Sequence, residues 1–213
     1  STGGGDVSLT GSGVYQYGDR YGASEIDAGS GKIRVDGNDG AINLLGTMVT
    51  TDADSAGTDA VVIQDAASVQ VSRITAASGT LRFGEMIGDV ADVVGDIIQS
   101  DISYITDKID IKTLEAFAGG NISITSSANI IDTLGDFSLG GSLAVHAIGR
   151  AAGMALIGDI TATDVSIRTG NGSLELGSFD ITSTAGNIWL QGSGINQASD
   201  SVIDSQGTVT IYG

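Results

Sequence analysis

The sequence predicts an all-β fold, a parallel β-helix (solenoid) with about 21 residues per turn and three short strands per rung. Three observations lead to this prediction. Two small residues followed by an apolar-any-apolar triplet recur along the chain, further apolar pairs lie between these units, and 33 glycines with no proline supply frequent turns. Regular spacing of this kind indicates stacked units, because no single unit can bury its apolar side alone.

The apolar pairs of the recurring unit are expected to point inward from a strand. Successive pairs recur at a nearly constant interval, which suits one strand per turn. They are Ile42/Leu44, Val61/Ile63, Leu81/Phe83, Ile102/Tyr104, Ile122/Ile124, Leu143/Val145, Val165/Ile167, Ile188/Leu190 and Val209/Ile211. We therefore expect a core ladder in which consecutive turns stack Ile122, Leu143, Val165, Ile188 and Val209.

The two residues before each pair are small and are predicted to form a bend. The first is glycine in Gly120, Gly141, Gly186 and Gly207, where we expect a positive φ. Further strands are predicted in each turn, at Val69/Val71, Ile109/Ile111 and Leu174/Leu176, with a third set at Leu139, Ile160, Ile181 and Val202. Residues 1–213 then form one domain, with irregular rungs over 1–40 and regular rungs over 41–213.

Residues 86–98 compete with this interpretation, because their apolar residues also fit one face of an amphipathic helix. Two glycines in the segment oppose a helix. The interval between Leu81 and Ile102 equals one turn and leaves no room for a helix in addition. We predict strand here, with a helical excursion as the alternative.

The charge balance limits the partners of the chain. Nine Lys and Arg against 26 Asp and Glu give a net charge of −17, so nucleic acid binding is not expected, since phosphate recognition needs a basic stripe. An anionic membrane surface would repel the chain, and no 18-residue apolar run predicts insertion into one. The absence of cysteine suits an exported bacterial protein at least as well as a cytosolic one.

The units Gly-Asn-Ile-Ser-Ile-Thr (120–125), Gly-Asn-Ile-Trp-Leu-Gln (186–191) and Gly-Thr-Val-Thr-Ile-Tyr (207–212) resemble the repeat region of filamentous-haemagglutinin-type bacterial exoproteins. The resemblance covers most of residues 40–213. It implies a right-handed β-helix, secretion or display at the bacterial cell surface, and a role in adhesion or in a biofilm matrix.

Residues that could carry chemistry are sparse in the sequence. Enzymes on this fold place carboxylates and a basic residue on one outward strand face, and no such column is found, so a non-enzymatic protein without a cofactor is expected. Asp110 is predicted to be a solvated charge. The single histidine, His146, is predicted to face outward and not to bind metal, since it lacks further ligands in the pattern.

Calcium is the one metal that the sequence leaves open. Asp36-Gly-Asn-Asp-Gly40 and Asp52-Ala-Asp54 supply oxygen ligands on turns, but neither completes a calcium-loop motif. Turn-forming Asp and Asn side chains account for both segments without metal.

Aromatic residues are the candidate surface contacts. Alternation between Ile188 and Leu190 sends Trp189 outward, where an indole either stacks on a sugar ring or covers a neighbouring loop. Tyr212 ends the last predicted strand, and Tyr15, Tyr17 and Tyr21 cluster near the other end. Host-surface or matrix carbohydrate is therefore a candidate partner.

The chain's last strand, Val209 to Tyr212, is followed by no polar capping segment. Its open edge predicts either further repeats of the same chain or stacking of copies end to end. The function that we expect is a rigid extracellular structural or adhesive rod. The alternatives are a self-assembling filament or surface-layer subunit and, less favoured, a polysaccharide-acting enzyme.

Overall fold

A computed structural model of the protein describes residues 4–17, 24–54, 59–100, 107–149 and 153–213. Within these ranges the chain contains strands and no helix. The strands stack in parallel as a β-solenoid of about eight turns, about 23 residues apart, which confirms the predicted fold class. At about 4.8 Å per rung, eight turns extend for about 40 Å.

Each turn contributes strands to three faces, which we number in the order in which the chain visits them. Four long strands bend around corners and serve more than one face: β4 (Ile33–Val49), β5 (Val61–Phe83), β9 (Ile109–Ala118) and β11 (Ile130–Leu139). The first face also contains β1 (Val7–Thr10), β14 (Ile160–Ala162), β17 (Ile181–Ser183) and β20 (Ile203–Ser205). The second face also contains β2 (Val14–Gln16), β8 (Ile97–Gln99), β10 (Ile122–Ile124), β12 (Leu143–Ala147), β15 (Val165–Thr169), β18 (Ile188–Gln191) and β21 (Val209–Tyr212). The third face also contains β3 (Glu25–Asp27), β13 (Met154–Leu156), β16 (Leu174–Gly177) and β19 (Ile195–Gln197).

The predicted core ladder lies on the second face. Its members pair in consecutive turns, in the order Ile122, Leu143, Val165, Ile188 and Val209. The first four are fully buried, whereas Val209 is 41% exposed because no strand covers β21 within the described residues. Buried and partly exposed residues alternate along these strands with period two, as the sequence predicts.

The predicted register is wrong in the N-terminal half. Val61 stacks on Ile33, and Leu81 pairs with Leu114, so both belong to the first face and not to the ladder of Ile122. On the second face Ile42 pairs with Val69, Val69 with Ile97, and Ile97 with Ile122. Three longer turns therefore replace the four shorter ones that we expected. The predicted pair Ile102/Tyr104 lies outside the described residues.

The third predicted set also shifts by one or two residues. On the first face Phe137, Ile160, Ile181 and Ile203 pair in consecutive turns, in place of the expected Leu139 and Val202 at the two ends. Val202 lies at the corner before β20 and is exposed. Its main-chain N–H donates to Asp180 Oδ1 at 2.7 Å, and the next residue, Ile203, packs against the core.

Asp and Asn side chains connect successive turns at two corners. Before the first face, Oδ1 of Asp136, Asp159 and Asp180 each accept a hydrogen bond from a main-chain N–H one turn later, at 2.7 to 3.0 Å. Before the second face, Asn121 Oδ1 accepts from Ser142 N at 2.9 Å, and Asn187 Oδ1 accepts from Thr208 N at 2.9 Å. These bonds occupy corner N–H groups that the strand ladders leave unpaired, and they hold each turn in register with the one before it.

The glycines of the bend need space and not a positive φ, which corrects our expectation. Gly120, Gly141, Gly186 and Gly207 lie outside the left-handed region. A Cβ at Gly141 would come within 2.6 Å of the main-chain carbon of Gly120. The turns therefore approach so closely at this corner that no side chain fits between them.

The described part of residues 1–40 follows the same three faces. β1 pairs with the start of β4, β2 with its middle and β3 with its end, without a shift of register within any of the three pairings. β4 in turn pairs with β5, and the register of that pairing shifts between Asp36 and Gly40. No helix of the described ranges is long and apolar enough to cross a membrane.

Residues 86–98 contain strands, as predicted, but not one continuing turn. β6 (Met86–Ile87) and β7 (Val90–Ala91) form a short antiparallel hairpin, and β8 then joins the second face. The hairpin is an insertion, since Phe83 and Ala116 pair on the first face although the chain between them is much longer than an ordinary turn. The helical alternative is excluded here because Gly88, with a φ of 67°, forms the hairpin turn.

Candidate functional site

Trp189 points outward from the second face, as the alternation predicts. It lies between Ser166 and Thr210 of the neighbouring turns and is half-buried. Its ring contacts that of Tyr212 edge-on, with the centroids 6.2 Å apart and the planes at 73°. Tyr212 is 57% exposed, so the two rings form an aromatic patch open to solvent at the end of the second face.

A polar strip runs beside this aromatic patch. His146, which faces outward as predicted, Arg168, Gln191 and Tyr212 pair in consecutive turns and form one outward column. Burial, and then the guanidinium of Arg168, lowers the pKa of His146 below its usual 6.5. The imidazole is therefore neutral at pH 7, so Arg168 carries the only charge of the strip.

The other aromatic candidates lie at the opposite end of the solenoid. Tyr15 pairs with Asn43 on the second face, in the same outward column as Trp189 but seven turns away, or about 34 Å. Tyr15 and Tyr17 are strongly exposed and flank a shallow groove with Asn43 and Leu45. The structure thus separates the two aromatic groups. Tyr21 lies outside the described residues.

The two turns considered for calcium use their carboxylates within the chain. Asp52 pairs with Lys32 Nζ at 2.9 Å. Asp54 accepts hydrogen bonds from the main-chain N–H of Ala60 and Thr80 and from Thr80 Oγ1, at 2.7 to 3.0 Å. Asp36 Oδ1 accepts from Asn38 N at 3.0 Å in the other turn. Among the described residues no three His, Asp or Glu side chains are arranged to hold a metal ion, and whether the chain binds calcium stays untested.

Carboxylates accumulate at the corner between the first and second faces. Asp39 and Asp65 both have a left-handed backbone there, with φ of 62° and 49°. Burial, followed by the negative charges of Asp39 and Asp36, raises the pKa of Asp65 above 3.8. Burial also raises the pKa of Asp92 in the following turn, and hydrogen bonds from the main chain of Glu85 and Asp65 only partly offset the rise. The folded state therefore disfavours the charged form of both groups.

Replacing Asp65 by asparagine is expected to raise the melting temperature at pH 7 by about 1 to 2 °C. Because the folded pKa of Asp65 lies above the unfolded one, the folded protein binds more protons, and stability falls as the pH rises from 3.8 through the raised value. Asparagine removes the charge and suits the left-handed backbone. Scanning calorimetry from pH 7 down to about 4.5 should show this gain shrinking. A gain independent of pH, or one equalled by Asp204→Asn at an exposed site, would contradict this account.

A charged cluster on the first face was not predicted from the sequence. Arg82 lies beside Glu115 of the next turn, and its Nε is 2.9 Å from Asp59 Oδ2. Burial, and then the negative charges of Asp59 and Asp136, raises the pKa of Glu115 above 4.5. The hairpin insertion lies between Arg82 and Glu115 in the chain, so no repeat-based alignment brings them together. Asp110 forms a simpler pair with Lys108 at 2.8 Å and faces outward, as predicted.

Comparison of the chain with known protein families, with curated proteins and with solved structures finds no match.

Proposed function

We propose that the chain is a rigid extracellular structural rod with an adhesive role, a segment of a secreted bacterial adhesin or biofilm-matrix exoprotein. The observation that carries the proposal is the aliphatic core, which runs unbroken through all described turns and is lined on every face by buried residues. The resemblance of its Gly-Asn-strand units to those of filamentous-haemagglutinin-type exoproteins supports the same role. We also propose that the chain has no enzymatic activity.

Stiffness follows from the way in which the turns are joined. Parallel strand pairing links each turn to its neighbours on three faces, and the corner carboxylates and amides add side-chain bonds between turns. Bending such a stack would open several main-chain hydrogen bonds at once on one side, so the rod resists both bending and proteolysis. These are the properties that a surface or matrix scaffold needs.

Adhesion is assigned to the aromatic patch formed by Trp189 and Tyr212. Exposed indole and phenol rings stack on the apolar faces of sugars, and the polar strip beside them offers hydrogen bonds to hydroxyl groups. The test is the retention of protein-coated beads on surfaces that carry bacterial matrix polysaccharides or host glycans. We expect Trp189→Ala together with Tyr212→Ala to abolish retention, while Val202→Ala leaves it unchanged. Equal retention of both variants, or none with the wild type, would refute the adhesive role.

The cellular location is tested separately from adhesion. Antibodies against the rod should label intact source cells or their matrix without permeabilisation, and added protease should remove that label. Labelling that requires permeabilised cells would refute an extracellular rod.

A second candidate function is that of a filament subunit, which the open end of the solenoid favours. β19, β20 and β21 pair on one side only among the described residues. On the last rung Val209 and Ile211 continue the core ladder but are 41% and 49% exposed. This apolar end accepts a further turn, either from more of the same chain or from a second copy.

The isolated chain is therefore expected to associate end to end, and more so as salt rises from about 0.05 to about 1 M, because screening weakens repulsion between copies of charge −17. Ile211→Lys on the open rung should prevent this association. Ile98→Lys, at a similarly exposed isoleucine on the side of the second face, should not. Light scattering and electron microscopy across the salt series distinguish thin filaments from the monomers or lateral sheets that would refute the assembly.

A further inference from the structure

The β6–β7 hairpin and the residues just after it expose a group of apolar side chains on the side of the rod. Ile87, Val90 and Val94 are 66%, 69% and 66% exposed, although they belong to an otherwise regular solenoid whose outward positions are mostly polar. The hairpin is also an insertion into the repeat. In solenoid proteins, insertions within a repeat concentrate on one face and commonly form the binding surface. An exposed apolar patch on an inserted loop therefore needs a functional explanation.

The hairpin and the two following turns enclose a shallow groove of about 320 Å³. Met86, Val90 and Val94 form its outer wall, and Ala118 and Leu139 contribute its apolar floor. Gly119 and Gly140 also line the groove. A Cβ at Gly119 would come within 2.5 Å of the carbonyl oxygen of Val94, and one at Gly140 within 2.4 Å of that of Gly119, so the turns pack closely beneath the groove.

The surroundings of the groove are acidic. Asp89 lines it directly, and none of its lining residues is Lys or Arg. Glu85 and Asp92 close the base of the hairpin, where Glu85 N donates to Asp92 Oδ1 at 2.8 Å. Asp96 lies at the adjacent corner and binds Asn121. Residues 84–100 contain these four carboxylates and no basic residue.

We propose that this groove binds a basic amphipathic segment of a partner protein, in which apolar residues alternate with Lys or Arg. The apolar side chains of the segment fill the groove between the hairpin and Leu139, and its cations face Asp89 and the carboxylates at the hairpin base. The inference goes beyond the proposed rod function and does not depend on it. It would give the rod a lateral attachment point distinct from its ends and from the aromatic patch.

Charge complementarity selects this occupant over the alternatives. A second copy of the chain brings a charge of −17 to a surface that is already negative, and an anionic membrane brings the same sign. A basic segment gains attraction to the carboxylates in addition to burial of its apolar residues. Its binding should weaken with salt but persist, because only the electrostatic part is screened.

The test uses a fluorescein-labelled synthetic peptide of alternating leucine and lysine and measures anisotropy against the whole chain at about 0.1 M salt. We expect saturable binding, at least about tenfold weaker for Val90→Ser with Val94→Ser and for Asp89→Asn. The matched controls Val202→Ser and Asp204→Asn replace exposed residues at the far end of the rod and should change the affinity less than about twofold. Circular dichroism checks that every variant is folded.

Other outcomes overturn the proposal. Absence of binding does so, as does equal weakening by the control variants, which would show general attraction to an acidic rod. Equal affinity for a leucine-glutamine peptide would show that the carboxylates contribute nothing. Binding of zwitterionic or anionic vesicles that is lost in the Val90/Val94 variant would assign the groove to membranes instead. Hydrogen exchange should show protection over residues 86–98 when the leucine-lysine peptide is bound.

Discussion

Replacing Ile167 by aspartate is expected to unfold the C-terminal turns of the solenoid. Ile167 is fully buried on the second face, between Val145 one turn before and Leu190 one turn after, both also fully buried. The substitution removes about 2 to 5 kcal/mol of apolar packing and places a carboxylate where no polar partner faces it, at a cost of several kcal/mol more. That total approaches the whole free energy of unfolding of an ordinary domain.

Circular dichroism and limited proteolysis measure the effect. Because each turn contacts only its neighbours, the loss should begin around Ile167 and leave the N-terminal turns the most resistant to protease. Ser166→Asp places the same side chain one residue away on the outer surface and should change stability by no more than about 0.5 kcal/mol. Trp189→Ala should also leave the rod folded. An Ile167→Asp variant that melts like the wild type would show that the inward and outward faces are assigned the wrong way round.

The C-terminal half of the fold could be predicted in register from the sequence. From Ile122 to Val209 successive turns differ by only one or two residues in length, so a fixed interval keeps every apolar pair on the same face. The outward column of His146, Arg168 and Gln191 follows from the same alignment. Period-two alternation then determines which side chains face solvent, Trp189 among them.

Before Ile122 the fixed interval assigns strands to the wrong face, and the reason is physical. All three faces bury the same kind of residue, so an apolar-any-apolar pair marks a strand but not the face to which it belongs. The real turns are longer than the expected interval. The next apolar pair after Ile42, which begins at Val61, therefore lies on the first face, although its spacing in the sequence looks regular. The hairpin insertion shifts the alignment again between Phe83 and Ala116.

The candidate surfaces also include features that the sequence predicted and features that it did not. The outward direction of Trp189 was predictable, but its contact with Tyr212 depends on a diagonal between turns that spacing alone does not show. The groove beside the β6–β7 hairpin was not predictable, because the apolar residues of 86–98 were interpreted as a strand of the regular turn, with a helix as the alternative. Their exposure follows from Gly88, whose left-handed backbone turns the chain back on itself outside the core.

Replacing Gly141 by alanine is expected to lower the melting temperature by about 3 to 10 °C. The new Cβ would meet the main-chain carbon and oxygen of Gly120 at 2.6 Å and the nitrogen of Asn121 at 2.7 Å. These atoms cannot rotate away as a side chain would. They are held by Gly141 N, which donates to Gly120 O at 3.1 Å, and by Ile122 N, which donates to Ser142 O at 2.8 Å. Relief of the clash must therefore separate two turns and strain both bonds.

Gly194→Ala is the matched control, because a Cβ there meets no atom within 4 Å and its backbone is outside the left-handed region. Its melting temperature should stay the same or rise slightly, since alanine reduces the freedom of the unfolded chain. Thermal unfolding followed by circular dichroism compares the two variants. If the bend glycines served only to permit a positive φ, as the sequence suggested, Gly141→Ala would be tolerated at the backbone angles found here. A Gly141→Ala variant as stable as Gly194→Ala would mean that the turns are not in close contact at this corner.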